Sequence, residues 1–386
     1  MAQLVAPRPL FFNNHIVNGS NSKTPIISFH KMKVIHQITA GFRRGDAISE
    51  EALLLREVFR NNGCTSDLFC DGATIADNMR NEVADISKLP TIVKTEDIAI
   101  LHLSIGSRVN QVFSSLPCKK VILYHNVTPA QYLERLNPPM AQILAEGRKQ
   151  VAALADVADV NLADSAYNAR ELEEMGYKNV KVLPLVIDAT FGEGPVDGAM
   201  FSLLKDDGCK NILFVGRVVP NKRHDKLLEA FSYYQHYVEP RSRLIIAGSS
   251  VGQEAYKSLL LGSVHTLELQ RVYFTEFISS AELNACYKAA DAFLCLSDHE
   301  GFCAPLLEAM SWQIPVCAAA KAAVPETMDG AGVLFNDASP VEIAEALNEV
   351  VTNHELRQKV IEKQNERLAR FRNRDVWTEF VGLLGE

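Results

Sequence analysis

The stretch AFLCLSDHEGFCAPLLEAM, residues 292–310, decides how the rest of the chain is read. AFLCLS is a short apolar run bounded by polar residues, the mark of a buried strand. LLEAM carries apolar residues at helical spacing, and between the two lies a turn built on Gly301. Strand, tight turn and helix in that order form half of a βαβ unit. In an open α/β sheet, the carboxyl edge of such a strand is where ligands bind. Two carboxylates, Glu300 and Glu308, bracket the turn.

The same alternation runs along most of the chain. KVIHQITA, SDLFC, DIAILHLS, KVILYHN, VNLADS and VKVLPLVI read as strands, most of them separated by helical stretches. DATFGEGPVDGAM, residues 188–200, interrupts the pattern with three Gly and one Pro. The alternation then restarts with NILFVGR, SRLIIAGS, RVYFTEF, AFLCLS, PVCAA and GVLF. Ser279 with Glu282, and Ser339 with Pro340 and Glu342, have the spacing of capping boxes at helix starts. The expected architecture is two doubly wound α/β domains facing each other across a cleft. Residues 32–188 form the first, 189–200 a linker and 201–365 the second, while a C-terminal helix, 366–386, rejoins the first domain. Residues 1–31 contain no acidic residue and fit neither a signal nor a transit peptide, so they are read as a flexible extension.

A chain of 386 residues is long for one core and suits two domains. Basic and acidic residues number 20 each through residue 190; the rest of the chain carries 19 against 27, which accounts for the net charge of −8. That balance argues against a nucleic-acid binder. The eight cysteines form no CxxC pair and several sit in apolar runs, as in a reduced, cytoplasmic protein. No apolar run approaches the roughly 18 residues of a membrane span.

Four places carry candidate chemistry. In FVGRVVPNKRHD, Gly216 and Arg217 end a strand and Lys222 precedes a helix, a natural anion site. Arg217 can fork two hydrogen bonds onto phosphate oxygens and Lys222 adds a point charge, although a solvated basic loop has the same residues. Around Gly301, Phe302 and Cys303 the helix N-terminus favours anionic groups, while Glu300 and Glu308 accept from hydroxyls. Phosphate plus vicinal diols describes a nucleotide sugar; a surface helix with a dipole partner is the simpler alternative. In ILYHNVTP, His125 ends a strand and is expected to face the cleft, with a structural role as the alternative. In ITAGFRRGDAIS, Gly41 and Gly45 either make a turn or admit a ligand to backbone amides. HExxH, paired-Cys, G-x-S-x-G and strict DxD patterns are absent. A site that needs no metal and no cofactor is the expectation.

Taken together, GRVVPNK, LIIAGS, HEGFCAPLLEAM and AAVPETMDGAGVLF resemble, in order, the motifs of retaining glycosyltransferases of family four, which have the GT-B fold. EGFCAPLLE looks like that family's E-x7-E signature. The resemblance runs from about Met32 onward and is stronger in the second domain. It implies that Glu300, with the amides of Gly301 and Phe302, holds the transferred sugar, and that Glu308 binds the ribose. Arg217 and Lys222 would neutralise the leaving diphosphate, His125 would touch the donor sugar, and the base would lie near Phe277 and Ile278. Gln313 and Ile314 depart from the family's usual glycine, and Cys303 replaces a common small residue. YHNVTPAQYLERL is similar to a bacterial subset that builds surface polysaccharides, many of them mannosyltransferases using GDP-mannose. The implied partners are a nucleotide-sugar donor and a glycan or lipid-linked acceptor. The implied location is the cytoplasm, with any contact at the inner membrane peripheral. A nucleotide-sugar hydrolase or epimerase of the same fold and an inactive sugar-nucleotide-binding scaffold remain the alternatives.

Overall fold

The computed structural model of the protein describes residues 33–187 and 192–385. Two parallel sheets organise them. The first comprises β1 (Ile35–Thr39), β2 (Leu68–Cys70), β3 (Val83–Asp85), β4 (Ile98–Leu103), β5 (Lys119–Tyr124), β6 (Val160–Ala163) and β7 (Lys181–Val182), in the order β3-β2-β1-β4-β5-β6-β7. The second comprises β8 (Lys210–Val215), β9 (Ser242–Ala247), β10 (Val272–Phe274), β11 (Ala292–Cys295), β12 (Val316–Ala319) and β13 (Val333–Phe335), in the order β10-β9-β8-β11-β12-β13. β1, β4, β9 and β11 are buried along their whole length. Apolar residues on both faces are what a parallel sheet covered by helices on each side requires. Strand order reverses between β1 and β4 and between β8 and β11, so each domain has its switch point at the centre of its sheet.

Both capping boxes are formed: Ser279 and Glu282 open the helix Ser280–Ala289, and Ser339 and Glu342 open Pro340–Thr352. Three details differ from the sequence reading. β3 was not among the expected strands, since three residues with one fully buried side chain carry no periodic signal. The stretch VKVLPLVI pairs only over Lys181–Val182, because Pro184 has no amide to continue the ladder. The expected linker 189–200 has its first three residues outside the described ones, and its end is helical: Gly198–Lys205 begins after Asp197, whose side chain accepts from Met200 N–H. Residues 1–31 also lie outside the described residues.

The chain ends in two helices. His354–Arg372 buries Leu368 and Phe371 in the second domain's core. Val376–Leu384 returns to the first domain, where Phe380 lies 5.0 Å and Trp377 6.4 Å from Phe59, ring centre to ring centre. Lysines fix its C-terminal end, as the helix dipole favours: Lys119 and Lys181 donate to the carbonyls of Leu384 and Leu383.

Candidate active site

The loops that follow β8 and β11 meet at the second domain's switch point. Gly216 follows β8 with φ +150°, and a Cβ on neighbouring Gly248 would lie 2.1 Å from the Gly216 carbonyl oxygen. Only glycine lets these two strand ends pack back to back, and so aim the next residues outward. Arg217 is exposed, with no side-chain hydrogen bond or ion pair among the described residues. Lys222 folds back, and its Nζ donates to Glu300 Oε2 at 2.5 Å. Burial opposes charge on this lysine, but Glu300 outweighs it and holds Lys222 above the ordinary lysine range. Asn221 ties the loops further, donating to the His299 carbonyl (3.2 Å) while its own carbonyl accepts from Asp298 N–H (2.9 Å). Asp298 pairs with Arg223 (2.5 Å) and Lys226 (3.3 Å).

The turn Glu300–Cys303 delivers the chain into the helix Ala304–Ser311. Cys303 stands at its N-cap in the left-handed region, φ +71°, and no side chain caps the first turn. Phe302 is buried against Phe371. Glu308 does not project freely: its carboxylate accepts from Tyr287 Oη, and burial raises its pKa. Phe277 is 83% exposed beyond β10, whereas Ile278 packs against the core.

In the first domain the turn after β1 satisfies itself. Gly45 takes φ +75°; its N–H donates to Glu50 (3.0 Å) and that of Arg43 to Ser49 (3.1 Å), while Asp46 caps the helix Ala47–Asn61. Gly41 has open space around its Cα. His125, expected to face the cleft with a structural role as the alternative, is held in the interior. Its imidazole is 2% exposed and turned inward, with Nδ1 3.2 Å from Asp164 and Nε2 3.0 Å from His102 Nδ1 and 3.5 Å from Glu51. His102 Nε2 in turn meets Gln37 Oε1 at 2.9 Å. Sequence reasoning passed over Gln37, Glu51, His102 and Asp164. The available signal was polar residues inside otherwise apolar runs, as His102 is in ILHL.

The two domains touch at this point. Ser165 Oγ donates to the Gly301 carbonyl at 2.6 Å, and a Cβ on Gly301 would meet Asn168, Asn126 and the His125 carbonyl at 2.8–2.9 Å. From the second domain Glu326 accepts from the N–H groups of Ala166 (2.8 Å) and Tyr167 (3.3 Å), at the N-terminus of the helix Ala166–Glu174. The structure therefore gathers His125, Lys222, Glu300 and Gly301 into one region, while the Arg217 side chain is exposed and has no partner among the described residues.

Residues 197–367 match the family described as Glycosyl transferases group 1. The D-inositol 3-phosphate glycosyltransferase of Mycolicibacterium gilvum is 32% identical over 220 residues, covering 55% of this chain and 48% of that protein. The serotype-specific mannosyltransferase WbdA of Escherichia coli is 22% identical over 243 residues, covering 62% of this chain and 30% of WbdA. The chain thus spans about half the length, or less, of these curated relatives. Among solved structures, Anabaena HepE in complex with UDP and glucose superposes with a TM-score of 0.69 at 18% identity, covering 90% of this chain and 97% of HepE. Sucrose-phosphate synthase of Thermosynechococcus elongatus gives 0.68 at 17%, covering 91% and 98%. These structures share the two-domain GT-B fold with this chain.

Proposed function

We propose, from the match of residues 197–367 to glycosyl transferases group 1, that the chain is a retaining glycosyltransferase. It moves a hexose from a nucleoside diphosphate sugar to a hydroxyl of a glycan or lipid-linked acceptor, and it does so without a metal. One observation carries this reading: Lys222, paired with Glu300, and Arg217, exposed and without a side-chain partner among the described residues, lie on the same loop after β8 at the second domain's switch point. Two cations there suit a diphosphate, and Glu300 with the Gly301 and Phe302 amides suits the sugar attached to it.

Negative charge builds on the diphosphate as the glycosidic bond breaks. Lys222 and Arg217 lower the barrier by meeting that charge where it forms. No side chain is assigned as a nucleophile. The acceptor oxygen attacks the face from which the diphosphate departs, and its proton leaves with the phosphate. Glu308 releases Tyr287 to take the ribose hydroxyls, and Phe277 and Ile278 flank the base. Mannose, from GDP-mannose, is the proposed sugar, a choice supported by the likeness to WbdA. A cytoplasmic site is supported by eight free, buried cysteines. No helix among the described residues is long and apolar enough to cross a membrane, and any membrane contact is read as peripheral.

The test is thermal shift of the purified protein with GDP, UDP and their sugars, with Mg²⁺ or a chelator, followed by product analysis with and without acceptor. A selective shift unaffected by chelation, with acceptor-dependent transfer that keeps the anomeric configuration, is expected. Sugar release without acceptor would identify a hydrolase. Binding without any turnover would identify a scaffold.

A further inference from the structure

Three polar contacts run in line through the interior of the first domain: Gln37 to His102, His102 to His125, and His125 to Asp164. Gln37 Nε2 donates to the Ala52 carbonyl at 3.0 Å, and a carbonyl can only accept. Gln37 Oε1 therefore faces His102, and His102 Nε2 must be the donor at that contact. Asp164 accepts from Asn168 through Oδ1 and turns Oδ2 to His125 Nδ1. The two imidazoles are 4° from parallel with centroids 5.2 Å apart, while His102 Nδ1 and His125 Nε2 approach to 3.0 Å. At those spacings the rings lie edge to edge and their nitrogens point at each other.

Three such contacts require three protons, and two neutral imidazoles bring two. If His125 carries its proton on Nδ1, two lone pairs collide at His102. If it carries the proton on Nε2, a lone pair faces the Asp164 carboxylate. One further proton resolves both. Its place is His125, which has a carboxylate within ion-pair distance of each nitrogen, Asp164 and Glu51, whereas the hydrogen-bond contacts of the His102 ring are an amide and the other ring.

We infer that His125 rests as an imidazolium inside the first domain, with Gln37, His102, Glu51 and Asp164 as the positioning residues that hold its charge. Glu51 Oε2 supports this independently: it is buried without a hydrogen bond from any described residue, which is costly unless a cation lies beside it. Burial opposes the charge most strongly, but Glu51 and Asp164, helped by Asp46 at the start of the same helix as Glu51, outweigh it and raise His125. Arg374 acts on Glu51 and Glu326 on Asp164 from farther away. His102 is held low by burial and by His125.

Glu51, His102 and His125 are also close enough to surround a metal ion. A metal would need both nitrogen lone pairs turned toward a third point, whereas nitrogens aimed at each other suit a shared proton. The cation lies behind the wall that meets the Glu300–Gly301 turn. Asp164 binds Asn168, Asn168 binds Asn126, and the His125 carbonyl itself abuts Gly301. Loss of the proton would leave one of the three contacts in line without a hydrogen.

The experiment is long-range ¹H–¹⁵N spectroscopy of the full chain with labelled histidines, from pH 5.5 to 9. One histidine is expected to keep both ring nitrogens protonated at pH 8, where an ordinary histidine, pKa about 6.5, is neutral. Its midpoint should fall by about one unit or more in Glu51→Gln and in Asp164→Asn. Should either variant fail to fold, the wild-type spectrum decides alone. Ten neutral histidines at pH 8 would overturn the inference, as would stoichiometric zinc in the purified protein that is lost in His102→Gln. For the transfer reaction, where the inference rests on the proposed function, kcat/KM should fall through the same midpoint and shift with it in Glu51→Gln. An imidazolium in a protein without turnover would leave the inference standing and sink only the transferase reading.

Discussion

Lys222 Nζ lies 2.5 Å from Glu300 Oε2, joining the loops at the carboxyl ends of β8 and β11 across the switch point. The pair is mostly buried, with Lys222 21% and Glu300 8% exposed. Removing one partner strands the other charge. Lys222→Met should cost about 3 kcal/mol in urea unfolding, and the double variant Lys222→Met, Glu300→Leu should regain much of it. Equal stability of the single variant and wild type would show the pair to be energetically idle.

Arg217 has no side-chain partner to lose among the described residues. Arg217→Ala should leave unfolding within about 0.5 kcal/mol of wild type. Transfer should fall by about 100-fold or more, the cost of removing one group that meets developing negative charge. Wild-type turnover in this variant would remove the phosphate assignment.

Tyr287 Oη is the partner of the buried Glu308 carboxylate. Tyr287→Phe keeps the ring and leaves that carboxylate unsatisfied, at a cost of about 1–3 kcal/mol by urea unfolding. Burial already holds Glu308 above the usual carboxylate range. An unchanged midpoint would mean that Glu308 turns to solvent.

Glu51 gives a pH dependence of definite sign. Burial raises it from 4.5 to about 7, so the folded chain binds a proton there that the unfolded chain has released. Its contribution is complete below about pH 4.5 and is lost as pH rises to about 7. His125, also raised, acts in the same direction. Melting temperature should therefore fall more steeply from pH 5 to 8 in wild type than in Glu51→Gln. Parallel curves would remove Glu51 from the titrating set.

Gly301 sits where the domains touch. Gly301→Ala puts a methyl within 2.8–2.9 Å of Asn168, Asn126 and the His125 carbonyl. Two of these belong to backbone or Cβ atoms that cannot swing aside. Small-angle scattering should report a larger radius of gyration with little change in circular dichroism. An unchanged radius would show that the contact yields locally.

Much of the fold was legible because a parallel sheet buried on both faces leaves near-continuous apolar runs, as in AILHL and AFLCL, and because Ser–x–x–Glu at helix starts is a local device. β3 and the short β7 escaped for the converse reason. A three-residue edge strand has no period, and pairing over two residues depends on what lies beside it. Lys222, Glu300 and the Gly301 turn were recognisable as loop residues at strand ends because such loops are short contiguous segments.

The sequence by itself determined most of the alternation of strands and helices and the division into two α/β domains, since these rest on periodicity and on spacing within a few residues. Tertiary structure decided the partners: Glu308 with Tyr287, Glu326 with the helix at Ala166, and His125 turned inward to Glu51, His102 and Asp164. Those four residues come from β4, from the helix after β1 and from the ends of β5 and β6. Only sheet order, with β1, β4, β5 and β6 side by side, brings them within hydrogen-bonding distance. Charge and protonation in such a cluster belong to the contact and not to any one residue, so no linear reading could have assigned them.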